Sequence, residues 1–177
     1  MNKFVCIAVV AVACIVGSAP RTGAAEKGEV VALAAWEAAG QFVRSGPEEA
    51  YFVGGFNGTL FVQSQEGSLD AARIVCPGTM QLSLKDMSQK GDGRCVITTL
   101  GGDQAFAKWT CEGAHLVGCT GEFTLNGGTG NLEGISGGGP MVLRSAFAAA
   151  AAEALGEGVT EVGTGIAIWP KLAYSVP

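Results

Sequence analysis

Hydrophobic and polar residues alternate along much of this chain with a period of two. In "WEAAGQFV", Trp36, Ala38, Gly40 and Phe42 fall on one face, and Glu37, Ala39, Gln41 and Val43 on the other. Such alternation predicts a strand with one side on a core. The preceding "EVVALAA" fits strand or helix, and "SGP" at 45–47 breaks the chain. "AYFVGGF" and "TLFVQSQ" are apolar runs separated by Asn57-Gly58. That dipeptide predicts a two-residue hairpin, because both positions tolerate positive φ. Gly54-Gly55 offers the alternative of one long bent strand. Further strands are expected at Ala72–Cys76, Thr79–Leu84, Arg94–Thr99, Ala105–Cys111 and Leu116–Leu125, with "CPG", "KGDG", "LGGDQ" and "EGA" as the turns between them.

"RSAFAAAAAEALGEG" breaks the alternation. Ser145 can cap a helix, alanine favours one and Gly156 can end it, so a short helix is expected over Ala146–Leu155. "EVGTGIAIWPKLAYSV" returns to strand, with Pro170 marking a break or an edge. Evenly spaced short strands with turns between them predict an all-β fold, a barrel or a sandwich.

Composition adds a compartment. "MNKFVCIAVVAVACIVGSAP" places Lys3 before an apolar run from Phe4 to Val16, and small residues follow as far as Ala25. This is the layout of a secretory signal peptide over 1–25, leaving 26–177 as the barrel domain. Lipidation at Cys14 and an uncleaved anchor are the alternatives. Without Lys3 and Arg21, nine basic residues face sixteen acidic ones, a formal charge of −7. No basic cluster survives, which argues against nucleic acid and against anionic membranes as partners. Periplasmic or secreted localisation follows, with no stable membrane insertion after cleavage.

Four cysteines remain after the leader, Cys76, Cys95, Cys111 and Cys119, and an even count in an exported chain predicts disulfides. Cys111–Cys119 with Cys76–Cys95 is the preferred pairing, and a Cys95–Cys111 bridge is the competitor. Zinc would use Cys111, His115 and Cys119, spaced four and four, but that spacing suits a helix and this segment reads as strand. No metal and no cofactor is expected.

"GGTGNLEGISGGG", residues 127–139, raises the question of phosphate binding. A P-loop requires Gly-Lys-Ser/Thr, which does not occur, and the dinucleotide fingerprint would need glycine where Glu133 stands. The run reads instead as a corner, with Leu132 and Ile135 packed inward. Together with "GDGRC", "AFAKWTCEG" and "GCTGEF", it resembles a group of small exported bacterial proteins similar to the allene oxide cyclase-like and dirigent-like β-barrels. The resemblance covers about residues 50–147. It departs at Leu132, where an aromatic is usual, and in the alanine-rich insertion. It implies an eight-stranded antiparallel barrel with the glycine segment between late strands. The shared residues are glycines and packing residues, so no catalytic residue is carried over.

Candidate chemistry is sparse. His115 is the only histidine and is expected to be solvated at a hairpin tip. Trp109 alternates with Ala105, Ala107 and Cys111, which suits a filled core or a ligand wall. Arg94 and Asp103, with Asp92, are expected near barrel ends, as rim charges or a pocket mouth. Lys108 and Glu122 fall on the opposite, outer face of neighbouring strands, where they could pair. Trp109, Arg94, Asp103 and His115 are therefore the candidate ligand-binding residues. The expected function is binding of a small apolar molecule; the alternatives are an isomerase or cyclase on the same barrel, and a structural or interaction protein with a solid core.

Overall fold

The computed structural model describes residues 26–65, 67–115, 117–146 and 160–177, except the side chains of residues 160–162. Eight antiparallel strands form a closed barrel in which each strand pairs with the next and β8 pairs with β1. The strands are β1 (Glu26–Gly46), β2 (Glu49–Val62), β3 (Ala72–Ser83), β4 (Ser88–Thr98), β5 (Gln104–Ala114), β6 (Gly118–Gly128), β7 (Ser136–Ser145) and β8 (Thr160–Val176). The only helical element among the described residues is a 3-10 turn at Gly130–Leu132. The helix expected over Ala146–Leu155 lies outside the described residues, apart from Ala146 itself.

The period-two pattern sets the inside of the wall. On β1, Ala32, Ala34, Trp36, Ala38 and Phe42 are buried while Leu33, Ala35, Glu37, Ala39 and Gln41 are exposed. On β5, Ala105, Ala107, Trp109 and Cys111 are buried in the same way. Closure leaves no sheet edge along most of the wall, which removes the aggregation hazard of an open sheet.

Three expected turns are strand interior. Asn57-Gly58 makes no hairpin: β2 runs through it, with Asn57 opposite Glu37 on one side and Val75 on the other. "CPG" likewise lies within β3, and Lys90–Gly93 within β4. Pairing on both sides outweighs the local turn preference, because most residues of these strands are held by a neighbour on each side. Pro77 still leaves a mark. Ladder pairing between β3 and β4 stops after Val75–Val96 and resumes at Gly78–Gly93. The Cys76–Cys95 disulfide spans that interruption. Pro170 has a similar effect, since the β1–β8 register shifts by one between Ala32–Trp169 and Val30–Leu172.

Glycines serve rings as well as turns. An added Cβ on Gly78, Gly91 or Gly93 would run into the Trp109 indole, and one on Gly40 or Gly54 would run into the Phe52 ring. Large inward side chains on one strand are thus accommodated by bare backbone on its neighbours.

The two ends of the barrel differ. One carries the β2–β3, β4–β5 and β6–β7 connections and is stoppered by Leu69, Leu132, Ile135 and Leu172, all at most 5% exposed. The expected inward packing of Leu132 and Ile135 is therefore observed. The other end carries the β1–β2, β3–β4 and β5–β6 turns, and there Phe42, Ala50, Phe52 and Leu82 form a cluster separate from the main core. Disulfides join Cys76 to Cys95 and Cys111 to Cys119. The second bridge is diagonal, since Cys111 pairs in register with Gly121 and Cys119 with Gly113. Ion pairs among the described residues are Lys90–Glu112 and Lys171–Glu29, both exposed. Lys108 does not meet Glu122: it stands opposite Arg94 and Thr124, and Glu122 stands opposite Thr110 and Pro140.

Candidate functional site

The interior is mostly filled. Around Trp109, a void of about 30 Å³ is lined by apolar groups including Trp36, Phe56, Ile74 and Met141. That is room for about one water. Trp109 is 3% exposed and packs edge-to-face on Phe56, with ring centroids 5.7 Å apart. Its role is to fill the core. The indole nitrogens of Trp36, Trp109 and Trp169 have no hydrogen-bond partner among the described residues. Each of these indoles stands edge-to-face against a phenyl ring, Phe56 for the first two and Phe123 for the third. Such contacts favour aromatic pairs beyond the area they bury.

A larger pocket of about 90 Å³ opens at the end that carries the β1–β2, β3–β4 and β5–β6 turns. It lies between the two apolar clusters. Trp36, Ala38 and Phe56 form its inner wall, and Phe42, Phe52 and Leu82 the wall toward the end. Leu143, Ser145, Ala146, Gly163 and Thr164 complete it where β7 stops pairing with β8 at Ser145–Gly165. Past that pair the Ala146 backbone N–H still donates to the Thr164 carbonyl at 2.8 Å, and β8 pairs with β1 as far as Thr160–Gln41.

Besides Ser145 and Thr164, two polar side chains line this pocket among the described residues, Gln89 and His115. Gln89 is on the inward face of β4, 7% exposed, and is the only buried polar or charged residue among those described. Its Nε2 donates to the Gly118 carbonyl at 3.3 Å. A carbonyl only accepts, which fixes the orientation of the amide and turns Oε1 away from Gly118. Among the described residues nothing donates to that oxygen. Sequence reading missed Gln89 because it lies in a stretch read as loop, and one glutamine carries no pattern.

His115 is half-buried rather than solvated. Its backbone N–H donates to the Met87 carbonyl at 2.8 Å, and its ring stands edge-on to Phe42 with centroids 5.9 Å apart. Burial lowers its pKa below the ordinary 6.5, so the imidazole is neutral at neutral pH. Among the described residues no carboxylate, lysine or arginine lines the pocket.

The other candidates lie elsewhere. Arg94 is exposed on the outer face in the middle of β4. Asp103 is at the stoppered end, where its Oδ2 accepts from the Asn131 backbone N–H at 3.1 Å and from Asn131 Nδ2 at 2.8 Å. Trp109 lines the small inner void and not the pocket. Of the four candidates, only His115 faces the pocket. No group of metal-binding side chains occurs among the described residues. Comparison with protein families, with curated proteins and with solved structures finds no match to this chain.

Proposed function

We propose that this protein is an exported binding module whose ligand is a small, largely apolar molecule held in the pocket between Phe42, Phe52, Phe56 and Trp36. The observation that carries the reading is the division of the interior. One end is packed solid and the other keeps a concave space walled by four aromatic rings. Small-ligand sites are commonly apolar clefts with a few placed polar groups, and an eight-stranded barrel has room for one small ligand. Two disulfides are consistent with a periplasmic or extracellular location. The closed antiparallel barrel is compatible with the resemblance to the allene oxide cyclase-like and dirigent-like barrels, and with a lipocalin-like one.

Binding is preferred over catalysis because the pocket contains a single titratable side chain, His115, with no acidic neighbour to orient it and no nucleophile paired to it among the described residues. The test is a titration of the folded, oxidised protein with a panel of short apolar compounds, read by calorimetry and by tryptophan fluorescence. Saturable binding that Ala38→Leu removes, while the far-ultraviolet circular dichroism of that variant stays unchanged, supports the reading. A panel with no saturable binder overturns it.

A further inference from the structure

The same pocket carries enough chemistry to narrow the ligand, and the narrowing rests on the binding reading above. From the Gln89 oxygen, which no described residue pairs, in a small pocket with no charged side chain among the described residues, we infer that the ligand is a short aliphatic alcohol, with its hydroxyl donating to Gln89 Oε1 and its chain lying among the aromatic rings.

Three observations converge on this. The first is size. At about 90 Å³ the space is smaller than the roughly 150 Å³ apolar cavity known to take a benzene ring. A space of that size calls for a small ligand with a short chain.

The second is charge. Among the described residues neither cation nor anion lines the pocket, so a carboxylate or an ammonium ion would give up water with no opposite charge among them to meet. The chain as a whole is acidic, with a formal charge of −5 before any cleavage, which further disfavours anions.

The third is the direction of the available hydrogen bond. Gln89 Nε2 is engaged by Gly118, and what remains is an acceptor. An acceptor at a buried position selects a donor, and a hydroxyl is the neutral group that donates at the end of a chain. The neutral His115 imidazole has one acceptor and one donor nitrogen, and either can serve the same hydroxyl. An ether or ester of equal length presents only acceptors and leaves Gln89 Oε1 unpaired.

The experiment compares 1-hexanol with methyl pentyl ether, hexanoate and hexylammonium on the full oxidised protein by calorimetry. The expected order places 1-hexanol about five- to tenfold tighter than the ether, the margin of one neutral hydrogen bond. The two ions are expected to be more than about tenfold weaker than the alcohol. Gln89→Leu should reduce 1-hexanol to the affinity of the ether while the ether binds as before. On the unaltered protein, the Gln89 side-chain amide signals in a nitrogen–proton correlation spectrum should shift with 1-hexanol and not with the ether, which keeps the test independent of the variant's folding. Equal binding of alcohol and ether, or tightest binding by hexanoate, overturns the alcohol and leaves the apolar site standing. Failure of all four to bind, together with a silent apolar panel, overturns both.

Discussion

His115 stands edge-on to Phe42, ring centroids 5.9 Å apart, and so ties the β5–β6 turn to β1 at the end of the barrel that carries the pocket. Phe42 in turn packs against Phe52 of β2, centroids 5.2 Å apart. The imidazole therefore belongs to the apolar wall of the pocket and bears its desolvation.

That position makes stability depend on pH. Burial lowers the folded-state pKa of His115 below the ordinary 6.5. Above that value the ring is neutral in both folded and unfolded chains and contributes no pH dependence. As pH falls below it, the unfolded chain takes up a proton that the folded one refuses, so stability is lost until the folded pKa is reached. Between about pH 7 and pH 5, the thermal midpoint of the unaltered protein should fall further than that of His115→Gln. Parallel curves for the two proteins would refute this. Asp86, whose pKa is lowered to about 2 by hydrogen bonds from Ser83 and Ser88, lies on the exposed β3–β4 turn and titrates well below this window.

The two disulfides should separate by function. Cys76–Cys95 closes a separation of 19 residues and Cys111–Cys119 one of 8. Loop-closure entropy gives about 3 kcal/mol for the first and slightly less for the second. Replacing Cys76 and Cys95 together by alanine should lower stability to denaturant by that amount while 1-hexanol binding persists. Replacing Cys111 and Cys119 loosens the turn that carries His115 and borders the pocket through Cys119, so affinity should fall as well as stability. Peptide mapping without reduction should recover these two pairs and no Cys95–Cys111 link.

Side-chain direction was legible in the residues. Alternation named the inward faces of β1 and β5, and the glycine run at 127–139 was readable as a corner that buries Leu132 and Ile135. Strand ends were not. Asn57-Gly58, Cys76-Pro77-Gly78 and Lys90–Gly93 all carry turn chemistry, yet each lies in a strand paired on both sides. Gly78, Gly91 and Gly93 are small because the Trp109 indole lies over them, a reason visible only once β3, β4 and β5 are neighbours. The pocket was illegible for the same cause. Phe42 and Phe52 face each other across the β1–β2 pair, but only closure of the barrel brings Gln89 and His115 to them.

Asp103 should prove structural. It holds both nitrogens of Asn131, and the neighbouring Gly130 has φ +59 with no room for a Cβ beside the Asp103 carboxylate. Asp103→Ala leaves these donors without their acceptor and should cost about 1–2 kcal/mol in urea unfolding. Because the stoppered end is remote from the pocket, 1-hexanol affinity should not change. A loss of affinity with unchanged stability would place Asp103 in the site instead.

Phe52 gives the last test, because its ring lies over the paired glycines Gly40 and Gly54 of β1 and β2. A Cβ on Gly54 would meet that ring and, 2.5 Å away, the Ala39 carbonyl oxygen. The backbone cannot yield without disturbing the β1–β2 ladder, so the ring must turn into the pocket it lines. Gly54→Ala should therefore destabilise the protein by about 1–3 kcal/mol through overpacking and weaken 1-hexanol binding together with stability. Gly101→Ala is the control: its added Cβ would meet only the Thr99 hydroxyl at 3.8 Å, and it should alter neither. If Gly54→Ala melts like the unaltered protein, the ring does not rest on the Gly40–Gly54 pair, and the aromatic wall of the pocket has a different support.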